Sequence, residues 1–117
     1  MQHFDYIIAG AGASGLSLAW KMLHSPLSEK QILILDQSLS PKNDKTWCFW
    51  DASDPPFADL VYRKWTEAEV SIFGNRSIEH LNNYTYYCLR SGDFRQHILK
   101  SLKSHPNFEL LETPIKE

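Results

Sequence analysis

Three glycines, Gly10, Gly12 and Gly15, stand at the spacing G-x-G-x-x-G within "FDYIIAGAGASGLSLAWKML". Residues of this kind act through the backbone. The first permits a tight turn out of a strand, and the second, lacking a Cβ, lets the main chain approach a pyrophosphate. The third lets the following helix pack closely on the strand. The helix N-terminus then offers free N–H groups and a partial positive charge to an anion. Such a turn can also be purely structural, so its surroundings decide. A dinucleotide site needs a carboxylate at the end of the next strand, about 20 residues on, to accept hydrogen bonds from a ribose. Asp36 closes "QILILD" and meets that demand. The candidate cofactor-binding set is Gly10, Ala11, Gly12, Ala13, Ser14, Gly15 and Asp36.

The elements that must position these residues are legible around them. Phe4 to Ala9 reads as a short buried strand of mostly apolar residues. Leu16, Ala19, Trp20 and Leu23 recur at helical spacing, and Ser25-Pro26 ends the pattern. "QILILDQ" is a second apolar strand, so strand, helix and strand form a βαβ unit with a parallel pair. Residues 38–45 read as a loop that runs into "TWCFWD" and a Pro55-Pro56 break. Alternation from Glu67, a turn at Gly74-Asn75 and a return over Ser77 to Leu81 indicate a hairpin. A strand over Tyr84 to Leu89 follows, then a helix from Phe94 capped by Asp93, with Phe94, Ile98 and Leu102 inward. Lys100 and Lys103 suit its C-terminal end. Phe108 to Leu111 is a last strand. The fold class is α/β, a partial Rossmann-like FAD/NAD(P)-binding domain whose βαβ unit carries a β-hairpin insertion. Residues 1–117 are expected to be the N-terminal part of a larger domain, because a three-stranded parallel core leaves its edges open.

Composition excludes several classes. The 117 residues carry a formal net charge of −2, with scattered Lys and Arg, which argues against a nucleic-acid partner. Apolar runs are too short for a membrane span of about 20 residues. Asp5 and the early glycines do not fit a signal peptide. Cys48 and Cys88 make neither a disulfide framework nor a zinc-ligand spacing, and both read as small buried hydrophobes. His24, His80 and His97 show no ligand spacing, so no metal is assigned. An acid at Asp36 disfavours a 2′-phosphate, and with it NADP at this position. NAD and FAD both use such a turn. The hairpin insertion and Arg90 ahead of a helix depart from the plain alternation of a nicotinamide domain.

The stretch "DYIIAGAGASGLSLAWKML…ILILDQ" resembles the N-terminus of FAD-dependent flavoproteins of the glutathione-reductase-like superfamily. "NDKTWCFWD", Trp65, "EVSIFGNR" and "YTYYCLRSGDFRQHIL" resemble the lycopene cyclase family of carotenoid biosynthesis. The resemblance covers nearly the whole chain, which is roughly the first third of a typical member. It implies a cytoplasmic enzyme, peripheral to the membrane, that closes the ends of lycopene or a related linear carotenoid into ionone rings. Implied cofactors are reduced FAD, with NAD(P)H as electron source, in a reaction without net electron transfer. The implied chemistry is protonation of a terminal alkene, closure through a carbocation, and proton loss. The family's catalytic acid belongs to a later segment, so the catalytic residue is unknown here.

By the same resemblance, Arg90 matches an arginine that contacts FAD phosphate or ribityl groups; the alternative is an exposed arginine paired with Asp93. Trp47, Phe49 and Trp50 are substrate-pocket candidates, with ordinary packing under a loop as the alternative. Phe73, Tyr84, Tyr86 and Tyr87 read as core or sheet-face residues. Two other functions share these motifs: an FAD-dependent monooxygenase or prenyl-lipid reductase, and a truncated nucleotide-binding module, since the 117 residues alone are expected to be inactive.

Overall fold

The computed structural model describes residues 2–116, and it divides into two compact units. One comprises the residues up to Lys42 together with those from Arg95 onward, and the other is Asn43–Phe94.

The first unit is built on parallel pairing. Strand β1 (Tyr6–Ala9) leads through the glycine turn into helix α1 (Ala13–Leu23). Ser25 caps a short 3-10 turn over Pro26–Glu29, its side chain accepting from the Leu27 N–H. Strand β2 (Ile32–Asp36) follows, and β8 (Phe108–Glu112) completes a sheet ordered β1-β2-β8 with both pairs parallel. The central strand β2 is buried on both faces: Ile32, Leu33 and Ile34 are in the core, as continuous apolar character requires. Strand β1 departs from the buried strand expected from its sequence. It pairs on one side only, and Ile7 is 61% exposed while Ile8 is buried. The inner face of α1 is Leu16, Ala19 and Met22, with Trp20 and Leu23 only half-buried.

The second unit is antiparallel. Strands β3 (Thr46–Asp51), β7 (Thr85–Arg90) and β4 (Val61–Trp65) form a sheet with β7 in the middle. The Pro-Pro break separated "TWCFWD" from a strand that sequence alternation did not announce, β4. A bulge between Val61 and Arg63 inserts Tyr62 into its edge. Side chains alternate across this sheet, so Trp47, Phe49, Tyr87 and Leu89 lie on one face. There Phe94 meets Trp47 edge-on at 5.3 Å and Phe57 at 5.1 Å, and Phe49 stacks on Tyr87 at 5.5 Å.

The hairpin β5 (Glu67–Ile72) and β6 (Asn75–His80) forms its own two-stranded sheet. Its turn is Phe73-Gly74, one residue earlier than expected, with φ of 48° and 82°. A two-residue hairpin loop of this twist needs positive φ at both central positions, and Phe73 accepts the less favourable one. Phe73 is fully exposed and Tyr84 is exposed, so neither is a core residue; Tyr87 is buried and Tyr86 half-buried.

Strand β7 passes without a connecting loop into helix α2 (Ser91–Lys103), which begins three residues before the expected start. Asn43 supplies the cap: its Oδ1 accepts from the Asp93 N–H at 3.1 Å. Ser91 is fully buried, donating from Oγ to Asp44 at 2.9 Å and accepting from the Lys45 N–H at 3.1 Å. Phe94, Ile98, Leu99 and Leu102 are buried along α2.

Candidate functional site

In the first unit the glycines have three distinct constraints. Gly10 adopts φ of +112°, which L side chains rarely tolerate. A Cβ on Gly15 would stand 1.9 Å from the Gly10 carbonyl oxygen, so helix and strand meet there through bare backbone. Gly12 is different: an added Cβ would find nothing within 4 Å. It occupies the N-cap position of α1 with extended dihedrals and no side-chain cap.

Beside Gly12 the helix N-terminus is chemically open. The first intrahelical bond runs from the Leu16 N–H to Gly12 O at 3.0 Å, so Ala13, Ser14 and Gly15 precede it and lack helical acceptors. The first turn contains no acidic side chain to neutralise the positive end of the dipole. Ser14 is exposed, and Ala11 is fully buried beneath the turn.

Asp36 joins this arrangement directly. Its Oδ2 accepts from the Ala11 N–H at 2.7 Å and its Oδ1 from the Ser38 N–H at 3.0 Å. These bonds, that of Ala11 first, hold the carboxyl below its ordinary value, and the charge of Arg95 adds to them against the effect of burial. Each carboxylate oxygen has two acceptor sites, so Asp36 retains capacity for a further donor such as a ribose hydroxyl. The strand ends are fixed by the Gly10 N–H to Leu35 O bond at 2.7 Å and the Thr113 N–H to Asp36 O bond at 2.8 Å.

Arg95 is the residue of this region that sequence reasoning did not single out. Its Nη1 donates to Ser40 O at 2.9 Å and fastens the loop after β2, while its Nε is buried without a hydrogen-bond partner. The available signal was its place one position after Phe94, on the helix that follows β7.

In the second unit, Arg90 closes β7. Its Nε donates to Asp93 Oδ2 at 2.9 Å, and its guanidinium lies 4.3 Å from the ring centroid of Tyr62. The paired alternative therefore describes its local geometry, and the bulge residue Tyr62 is an unanticipated partner. The three substrate-pocket candidates divide between opposite faces of the sheet. Trp47 and Phe49 pack inward against Phe94 and Tyr87. Trp50 is 54% exposed on the other face, 4.5 Å from Tyr86, which in turn lies 5.8 Å from Trp65. A cleft of 440 Å³ beside Trp50 is walled by Leu81, Asn82, Asn83 and Tyr84. The expectation of two buried cysteines fails for one of them: Cys88, in the central strand β7, is buried, but its cross-strand neighbour Cys48, on the edge strand β3, is exposed.

Among the described residues, no group of three or more His, Cys, Asp and Glu could hold a metal ion. No described helix is long and apolar enough to cross a membrane.

The decisive comparison is at the level of the family, whose model, lycopene cyclase protein, matches residues 5–113. The chain belongs to the lycopene cyclase family. Among curated proteins none matches its sequence. Among solved structures it is similar to PqsL of Pseudomonas aeruginosa, described as "a probable FAD-dependent monooxygenase", with a TM-score of 0.70 and 17% identity over 94% of this chain. A complex of PqsL with 2-aminobenzoylacetate is similar at a TM-score of 0.68 and 16% identity. In both cases the chain covers 33% of the solved protein. At such identity the likeness establishes the fold, a partial Rossmann-like domain, and no more.

Proposed function

We propose that this chain is the N-terminal, FAD-binding segment of a lycopene cyclase that closes the linear ends of lycopene into ionone rings. Family membership supports the reaction class. The observation that carries the cofactor assignment is the open space at Gly12 in front of the acceptor-free N–H groups of α1, with Asp36 beside it. The backbone from Gly10 to Gly15, including Ala11, Ala13 and Ser14, would bind the pyrophosphate, and Asp36 the adenosine ribose. Arg90 is the candidate for the cofactor's phosphate or ribityl portion, already oriented by Asp93 and Tyr62. Asp36 keeps NADP from this position, so NAD(P)H would act as a visiting electron source.

Reduced FAD would supply electron-rich surroundings for a carbocation formed at the end of the polyene. Aromatic faces such as Trp50 can do the same, through the negative face of the ring. The substrate is an apolar hydrocarbon, so the complete enzyme is proposed to work on a membrane surface as a cytoplasmic, peripheral protein. The catalytic acid is assigned to the part of the polypeptide that the solved relatives have beyond this third.

The test is expression of the complete reading frame in cells that accumulate lycopene. Cyclic carotenoids should appear, and the purified protein should be yellow with FAD. Unchanged lycopene from a folded, flavin-loaded protein would reject the cyclase reading. Substrate-stimulated oxygen uptake with NAD(P)H oxidation would favour a monooxygenase instead.

A further inference from the structure

Strands β3 and β7 are aligned so that Cys48 stands directly opposite Cys88. Directly opposed residues of an antiparallel pair have Cα atoms about 4.5 or 5.5 Å apart and side chains on the same face. Both spacings lie within the roughly 4.4–6.8 Å that a disulfide spans. The register alone thus brings the two Cα atoms within reach of a disulfide.

The two thiols have different surroundings. Cys48 is exposed, whereas Cys88 is buried in the central strand. Burial pushes the Cys88 thiol up, its hydrogen bond with Cys48 does so further, and Arg63, opposite Cys88 on β4, pulls it back. Tyr86 lies diagonally across from Cys48, and their hydrogen bond is the first cause raising the Tyr86 phenol. The sulfurs thus occupy one connected cluster on the open face, between Trp50 and Arg63.

We propose that Cys48 and Cys88 are a reversible cross-strand redox pair, with Cys48 as the entry thiol and Cys88 as the resolving thiol. The oxidant is a small soluble disulfide of the glutathione class. The Cys48 thiolate attacks one sulfur of that disulfide, forms a mixed disulfide and expels one small thiolate. Cys88 gives up its proton, attacks Cys48 Sγ and expels the second thiolate, leaving the Cys48–Cys88 bond. Two protein thiols are oxidised, one small disulfide is reduced to two thiols, and the two protons released by the cysteines end on those products. Exposure assigns the first step to Cys48. Arg63 assists the second by favouring the Cys88 thiolate. In a reducing cytoplasm such a pair rests as thiols and responds to oxidation, the usual role of cytosolic disulfides. The bond would tie the strand bearing Trp50 to the strand bearing Arg90. This inference is independent of the cofactor and substrate readings.

The test incubates the folded full-length protein with oxidised glutathione, alkylates free thiols and maps disulfide peptides by mass. Wild type should yield a Cys48–Cys88 peptide within one chain, reversed by reduced glutathione. Cys88→Ser and Cys88→Ala should instead accumulate a glutathione adduct on Cys48. The adduct on Cys88 in Cys48→Ser should form at least about tenfold more slowly. Two Cys88 variants are used so that a folding defect in one does not decide the result. A persistent adduct on Cys48 in wild type, disulfides only between chains, or equal reactivity of the two single-cysteine proteins would overturn the proposal.

Discussion

In the parallel unit the candidate ligand contacts are backbone atoms of a glycine turn and one carboxylate, whereas in the antiparallel unit they are exposed aromatic rings and an arginine. The first arrangement leaves little room for substitution, because fold and site share the same atoms. Gly15 is closed in by the Gly10 backbone whereas Gly12 faces open space, three residues apart. The second separates the two roles by face: Trp47, Phe49 and Tyr87 hold the sheet together, while Trp50, Tyr86 and Trp65 stand on its open side. The exposed side chains on that open side, Trp50 and Trp65, can change with little effect on the sheet.

This contrast can be broken most directly at the glycines. Gly15→Val should lower stability by about 3 kcal/mol, since its Cβ overlaps backbone that cannot rotate away. Gly12→Val should stay within about 1 kcal/mol of wild type, yet weaken FAD binding by at least about tenfold, because the branched side chain fills the open space. Denaturant midpoints and flavin titration of the full-length protein separate the two effects. Equal stability losses would erase the division between packing and access.

Asp36 offers a smaller effect with a defined pH window. Its folded carboxyl is held below the ordinary value of 3.8, so its stabilisation is present above that value and disappears as pH falls through the lower folded value. Asp36→Asn should cost about 1–2 kcal/mol at neutral pH, because a charge-assisted bond to the Ala11 N–H becomes an ordinary one. The difference between variant and wild type should narrow in acid below the ordinary carboxylate range. A gap that stays constant with pH would remove the electrostatic role of Asp36.

The smallest effect has the opposite sign. Phe73 is fully exposed at φ of 48°, so it contributes strain and no packing. Phe73→Asn should stabilise the hairpin by roughly 0.5–1 kcal/mol, measurable as a rise in thermal midpoint. A loss of stability would mean that the open unit depends on its exposed aromatic residues after all.

The same division explains what the sequence disclosed. Gly10, Gly12, Gly15 and Asp36 were readable because a βαβ unit imposes fixed spacing on local, consecutive elements. Ile98 and Leu102 were readable from helical period. In Asn43–Phe94 the determinants are cross-strand neighbours, which depend on register. No spacing indicates that Cys48 faces Cys88, or that Trp50 and Trp47 take opposite faces until the strand itself is recognised. Strand β4 was hidden because Tyr62 sits at a bulge that disrupts alternation. The start of α2 was obscured because its cap comes from Asn43, distant in sequence. The ion pairs Glu69–Arg76 and Glu67–His80 are exposed and contribute little to holding the hairpin.

The parallel pairing of Ile32 with Phe108 has a kinetic consequence. The whole of Asn43–Phe94 lies between β2 and β8, so the third strand of the parallel sheet closes a long loop. The entropy of that closure grows with loop length, and such non-local contacts form late. Strands β5 and β6, by contrast, are joined by two residues and can pair within microseconds. If Asn43–Phe94 collapses first, it shortens the loop that β8 must close. On that order β8 would be the last strand to join the parallel sheet.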